Sequence, residues 1–376
     1  MPNTQNFEQI NKDIKEILKK SLASEELSSN EALELLKVSG KEFFALQKVA
    51  DQINYEKKKD FVTFVVNRNI NFTNICYQKC KFCSFSLPAT HPDAFLLTIE
   101  EIRGKVIEAK KFGCTEVCIQ GGINPDLEFE FYLDILKNVK DVASDMHIHA
   151  FSPQEIYYMS KLYKNSIEDT LKELKNTGLD SIPGTAAEIL VDKIRGLICP
   201  NKVNTAQWKE IITSAHRLGI PTTSTIMYGH IESLNDRIIH IEVLRDIQKE
   251  THGFTEFVPL PFVKEKPILS HLEYFPLKPS YGMDDLKLFC VARLFLNNHI
   301  DNIQCSWVKL GPKFAQVSLN YGVNDFSGTL MEENISRSAG AEFGEYLPPE
   351  EIIEIIKQAG KKPAQRDTVY NILKYY

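Results

Sequence analysis

Three of the chain's eight cysteines fall within the stretch 71–86, NFTNICYQKCKFCSFS. Cys76, Cys80 and Cys83 are spaced C-x3-C-x2-C, close enough for three thiolates to converge on one metal group. Three thiolates are one short of a tetrahedral zinc site. They are equally one short of ligating every iron of a four-iron cluster, which normally takes four cysteines. In a cluster the deficit is useful, because it leaves one iron open to a small molecule. Zinc is the alternative, with His91 as a candidate fourth ligand. Burial as plain core thiols fits poorly, because Lys79 and Lys81 interleave the cysteines. Cys114, Cys118, Cys199, Cys290 and Cys305 share no metal spacing with the triplet and read as small buried hydrophobes.

The segment that must hold this triplet is part of a 376-residue chain, long enough for one barrel with extensions. Hydrophobic residues make up 43% and charged residues 25%, the balance of a globular protein with a large core. A formal net charge of −6 argues against nonspecific nucleic-acid binding and against adhesion to an anionic membrane. No apolar run reaches the roughly 20 residues of a membrane span. The polar opening MPNTQNFEQINKDIKEILKK lacks the apolar core of a secretory signal. The expectation is a cytoplasmic protein, a setting in which clustered cysteines more often bind metal than form disulfides.

Three parts are expected along the chain. Residues 1–55 read as helices, with apolar Phe7, Ile10, Ile14, Ile17 and Leu18 at helical spacing. Over 56–300, short β-branched runs alternate with amphipathic stretches that end at glycine. The remainder, 301–376, carries the last strands and, from 347, a helical cap. Candidate strands are 61–68, 116–122, 145–152, 178–184, 221–229, 254–262, 302–310 and 325–333. Eight strands alternating with helices predict an α/β fold of the parallel (β/α)8 TIM type, although an open doubly wound sheet has the same alternation. In a barrel, function sits at the strands' C-terminal ends, and the cysteines directly follow the first strand.

C-x3-C-x2-C with an aromatic residue, Phe82, before the last cysteine resembles the signature of the radical S-adenosylmethionine (SAM) superfamily. TEVCIQGGINPDL, HIHAFSPQEI, GLDSIPGTAAEIL, TTSTIMYGHIE, GFTEFVPLPFV, NDFSGTLMEENISRSAG and KKPAQRDTVYNIL extend the similarity to one branch. That branch contains the FO synthase subunits and the radical SAM enzymes of futalosine-dependent menaquinone synthesis. The resemblance implies a (β/α) barrel, a [4Fe-4S] cluster on Cys76, Cys80 and Cys83, and SAM on the open iron. It further implies L-tyrosine and 5-amino-6-(D-ribitylamino)uracil as substrates, a partner FO synthase subunit and a low-potential electron donor. An aminofutalosine synthase or related enzyme is the rival within the superfamily. A zinc-stabilised binding protein is the rival outside enzymes.

The remaining candidates take their roles from this resemblance. Many superfamily members have Gly-Gly-Glu after the second strand, whereas this chain has Gln120-Gly121-Gly122-Ile123. The glycines let backbone approach SAM, or simply make the turn before Pro125, and no acid follows them to hold the SAM ammonium. Glu188 would accept from the SAM ribose, or be a solvated acid in a helix's first turn. Arg195, two helical turns on, would reach a carboxylate or lie in water. Met227 and Tyr228 end the fifth strand, where the superfamily often contacts adenine; core packing is the alternative. His147 and His149 point to one strand face and would bind substrate, or be hydrogen-bonded core histidines. Glu332 and Asn334, with Glu333 between them, end the last strand as substrate candidates. Of the two acids one should face inward, and parity does not say which.

Overall fold

The chain opens as three helices, Lys12–Leu22, Ser29–Lys37 and Gly40–Lys58, in a computed structural model that describes residues 10–273 and 276–376. Phe7 lies outside the described residues. The periodic residues behave as their spacing predicts: Ile14, Ile17 and Leu18 are buried on one face. Ser28 and Glu31 form a reciprocal capping box that starts the second helix. No helix among the described residues is long and apolar enough to cross a membrane.

Among the described residues nine strands follow: β1 (Phe61–Val65), β2 (Asn67–Asn71), β3 (Glu116–Gln120), β4 (His147–Ala150), β5 (Thr222–Tyr228), β6 (Phe254–Pro261), β7 (Asp325–Gly328), β8 (Lys362–Arg366) and β9 (Ile372–Tyr375). All pairings are parallel except β8 with β9. Helices between the strands cover the outer faces, as parallel crossovers require. The result is an α/β arrangement of three sheets, β7-β1-β8-β9, β2-β3-β4 and β5-β6. Single parallel bridges run between and beside them: His149 to Ser181, Ile182 to Thr222, Phe257 to Ile303, Gln304 to Asp325 and Arg68 to Met331.

Several expected elements take a different form. The expected first strand, 61–68, is two strands: β1 pairs with β7 and β8, and β2 pairs with β3. The expected strand 178–184 contributes only the Ser181 and Ile182 bridges, because Pro183 has no N–H to continue a ladder. The expected strand 302–310 is reduced to Ile303 and Gln304 and then turns into the helix Trp307–Leu310. The expected C-terminal helical cap is a correction. One helix, Pro349–Gln358, is followed by β8 and β9, and β8 lies parallel against β1. Charge explains it. Arg366 is buried and donates to both oxygens of Asp325, with Glu256 also 3.4 Å away, so β8 supplies the cation that two buried acids need.

Candidate active site

The cysteine loop leaves the C-terminal end of β2 and is tied down at both sides. Gly122 N–H donates to Thr73 O (2.8 Å), Cys76 N–H to Leu87 O (3.0 Å) and Lys81 N–H to Ile198 O (2.8 Å). Cys83 N–H donates to Cys80 O (3.1 Å), closing a turn between the two cysteines. Asn74 bridges Asp93 O (2.9 Å) and Phe95 N–H (2.8 Å), which fixes the following segment. His91 Nδ1 accepts from Asp93 N–H (3.1 Å), so this ring is engaged in its own turn. Among the described residues, no three His, Cys, Asp or Glu side chains close on a single-ion position.

The two glycines are explained by packing. A Cβ on Gly121 would stand 2.4 Å from the buried Phe72 ring. One on Gly122 would stand 2.3 Å from Ile75 O and 2.9 Å from Cys76 Cβ. The glycine step therefore seats the cysteine loop against the end of β3. An acid also reaches this step, from a different element than the sequence pattern implied. Glu155 accepts from Gly121 N–H (3.0 Å) and caps its own helix, Pro153–Tyr163, through Ser152. Burial pushes its carboxyl up to about 7.

Charge gathers around the thiols. Cys80 is buried and Cys83 nearly so, and burial pushes both thiols up. Lys202 and Lys309 supply positive charge nearby, Lys202 facing Cys80 and Cys83, and Lys309 facing Cys83. Lys202 pairs with Glu188 (2.7 Å) and lies over the Phe82 ring, 5.4 Å from its centre. Glu188 is thus an enclosed ion-paired acid, and its backbone takes the left-handed conformation at φ +46°. Arg195 holds this loop from beneath: its five N–H groups are used by the carbonyls of Ala186, Ala187, Ile189 and Val203. The guanidinium is buried and spent on these carbonyls, rather than on a carboxylate or solvent. Gln120 donates to Thr185 Oγ1 (2.6 Å), joining the end of β3 to the same loop.

Tyr228 is fully buried with the Arg237 guanidinium 5.1 Å from its ring centre, on the helix side of β5. Met227, one residue earlier, is half-buried on the opposite strand face. His147 Nε2 and His149 Nδ1 both bond Ser181 Oγ, each at 2.7 Å. Burial lowers His149 to about 4, against the opposing charge of Glu116, which accepts from Asn67 (2.9 Å). β7 ends at Gly328, short of the expected 325–333, so Glu332 and Glu333 lie beyond it, and the tertiary structure decides between them. Glu332 points outward, paired with Arg68 (2.7 Å) and Lys105 (2.8 Å) on the helix side. Glu333 is the buried one, accepting from Ser336 N–H (2.9 Å) and facing Lys309. Asn334 opens the helix Asn334–Ala339 beyond it.

Sequence reasoning missed Lys202, Glu155, Thr185 and Lys309. Lys309 had a usable signal, since it ends a candidate strand where barrels place function. Glu155 had only a capping signature, which is why its second partner was invisible.

A cavity of about 260 Å3 opens above the ends of β5 and β6, lined among others by Lys309, Phe262 and Phe343.

With this geometry in hand, the comparisons define first the class. The chain superposes on the [FeFe]-hydrogenase maturase HydG with a TM-score of 0.74, covering 96% of this chain and 78% of that one. Identity is 16%, so this likeness speaks for the fold alone. The Radical SAM superfamily model matches residues 70–244, and the CofH/MqnC C-terminal region model matches 251–375. A 5-amino-6-(D-ribitylamino)uracil–L-tyrosine 4-hydroxyphenyl transferase of Archaeoglobus fulgidus is 54% identical, over 87% of this chain and 93% of the relative. That of Methanocaldococcus jannaschii is 51% identical, over 93% and 97%. The chain belongs to the radical SAM superfamily and, within it, to the family of these transferases.

Membership implies SAM and a [4Fe-4S] cluster, and the residues present fit them. Three soft thiolate donors lie on one backbone-tied loop, with Lys202 close by to balance an anionic cluster.

Proposed function

We propose that this protein joins the 4-hydroxybenzyl group of L-tyrosine to C5 of 5-amino-6-(D-ribitylamino)uracil. The other products are 2-iminoacetate, 5′-deoxyadenosine and methionine, and the adduct is the precursor of FO in coenzyme F420 biosynthesis. The observation that carries this reading is the near full-length similarity to the transferases of this name, which spans both the cysteine loop and the C-terminal region.

Cys76, Cys80 and Cys83 would hold the cluster, with SAM beside Phe82, Gln120, Gly121, Gly122, Glu188 and Met227. Bound there, the pair supplies a 5′-deoxyadenosyl radical. The protein's own part is positioning and exclusion of water. Arg195 and Gln120 hold the 185–189 loop from two sides, and Lys202 fixes the Glu188 carboxylate. Tyr228 and Arg195 act from behind the site. The single bridges between sheets support one closed (β/α) barrel around it, flanked by parts 1–55 and 301–376 within which 56–300 forms the core. His147 and His149 line its interior as substrate candidates. A cytoplasmic setting, a low-potential electron donor and a partner FO synthase subunit that cyclises the adduct complete the reading.

The test is an anaerobic assay with SAM, reductant, the diaminouracil and labelled tyrosine. Ring label is expected in the uracil adduct, and Cα label in iminoacetate and its hydrolysis product glyoxylate. Cα label in the adduct would make the fragmentation wrong. No adduct, with turnover of a menaquinone-pathway substrate instead, would move the chain to that function.

A further inference from the structure

The Lys309 side chain is one of the few cations near the thiols that nothing else uses. It lines the cavity above β5 and β6, and among the described residues its ammonium makes no hydrogen bond or ion pair. The other lysine by the cysteines, Lys202, is neutralised by Glu188. A half-buried ammonium without a partner is costly, and structures keep one where a ligand completes it. Lys309 follows the Gln304 bridge, in the short helix Trp307–Leu310, and is anchored there because Trp307 is buried with its indole N–H on Gly328 O (2.8 Å). The ammonium is therefore carried on a fixed element.

The rest of the cavity says what the anion belongs to. Pro261, Phe262 and Phe343 form an apolar wall suited to an aromatic ring. Ser280, also in the lining, has a buried hydroxyl with no partner. Glu333, buried behind the lining at the start of the helix Asn334–Ala339, faces Lys309, and its carboxylate accepts from Ser336 N–H (2.9 Å). A half-buried cation, a buried acid behind it and an aromatic wall match an aromatic amino acid: carboxylate to the lysine, ammonium to Glu333, ring to the wall; Glu265 and Glu342 of the lining are exposed. Lys264, the other lysine in the lining, is exposed at the rim.

We propose that Lys309 binds the α-carboxylate of the tyrosine substrate, with Glu333 facing its ammonium group. This rests on the proposed reaction and names the tyrosine subsite within it. SAM also has an amino-acid carboxylate, so the experiment separates the two.

Tyrosine and SAM binding are measured by equilibrium dialysis on anaerobically reconstituted protein, with iron content checked in each variant. Lys309→Met should weaken tyrosine about ten- to a hundred-fold, the range for a lost hydrogen bond to a charged group. SAM binding should change less than threefold. Lys309→Arg should fall between wild type and Lys309→Met. Tyramine, which lacks the carboxylate, should bind wild type about as weakly as tyrosine binds Lys309→Met, and the substitution should not weaken it further. Wild-type protein that binds tyramine as tightly as tyrosine overturns the proposal without any variant. So does equal weakening of both ligands in Lys309→Met, or a loss confined to SAM. If tyrosine binds through Lys309 but no uracil adduct forms, the proposed reaction fails while the subsite stands.

Discussion

Replacing Gly122 by alanine tests the placement of the cysteine loop most sharply. The new methyl would stand 2.3 Å from the Ile75 carbonyl oxygen and 2.9 Å from Cys76 Cβ, where ordinary contact begins near 3.4 Å. Both neighbours are backbone or backbone-adjacent, and Gly122 N–H is itself bonded to Thr73 O at 2.8 Å, so neither side yields cheaply. The loop carrying Cys76 must retreat by about 1 Å, at a cost of roughly 1–3 kcal/mol for overpacking. A displacement of that size in a positioned group lowers turnover by about a hundredfold. The expected readout is lowered iron and sulfide per chain after anaerobic reconstitution, together with a lower urea midpoint. Gly104→Ala serves as control, because nothing lies within 4 Å of a Cβ in its helix, Ile99–Lys111. It should be neutral or stabilising by up to about 1 kcal/mol. Full iron content and an unchanged midpoint in Gly122→Ala, with only SAM affinity reduced, would refute the packing argument and return the glycine to direct SAM contact.

Cys80→Ala should lose the broad cluster absorbance and SAM cleavage together, whereas Cys114→Ala and Cys290→Ala should keep both; anaerobic spectra and 5′-deoxyadenosine yield decide it. Arg195→Lys should lower the unfolding free energy by about 3 kcal/mol or more in denaturant titrations, because one ammonium cannot meet carbonyls that five planar N–H groups serve. Its SAM affinity should fall as well, through movement of the 186–189 loop. Acid should destabilise through buried neutral imidazoles. His240 accepts from Leu190 N–H and donates to Thr225 O, and burial lowers it to about 3. The unfolded chain takes up this proton below about pH 6.5 and the folded chain does not, so the stability is present above that pH and lost as pH falls. Glu155 and Glu256, pushed up to about 7 by burial, act in the opposite sense between about pH 7 and 4.5. His240→Gln isolates the imidazole: its unfolding free energy should fall between pH 6.5 and 5 by about 2 kcal/mol less than that of wild type.

The cysteine triplet was legible because its chemistry is local. Three thiols within eight residues on one loop need no knowledge of the fold, and the alternation of β-branched runs with capped amphipathic helices announced a parallel α/β protein in the same way. What the tertiary structure decided depends on contacts between distant residues. Glu332 and Glu333 are adjacent in sequence, and only Arg68, 264 residues away, and Lys105 show which one faces out. Gly122 read as a SAM contact or a turn, and only the packed structure shows that the Ile75–Cys76 backbone also lies against it. Arg195 read as a cation that would reach a carboxylate or lie in water, yet its partners are backbone carbonyls, which carry no sequence signature at all. The last segment, 362–375, read as helix; β8 is a strand because Arg366 is drawn between Asp325 and Glu256, an attraction between charges that lie 41 and 110 residues apart. Periodicity and spacing report what a segment does with its own neighbours. Which charge is left without a partner, as Lys309 is among the described residues, emerges only when every other element has been packed.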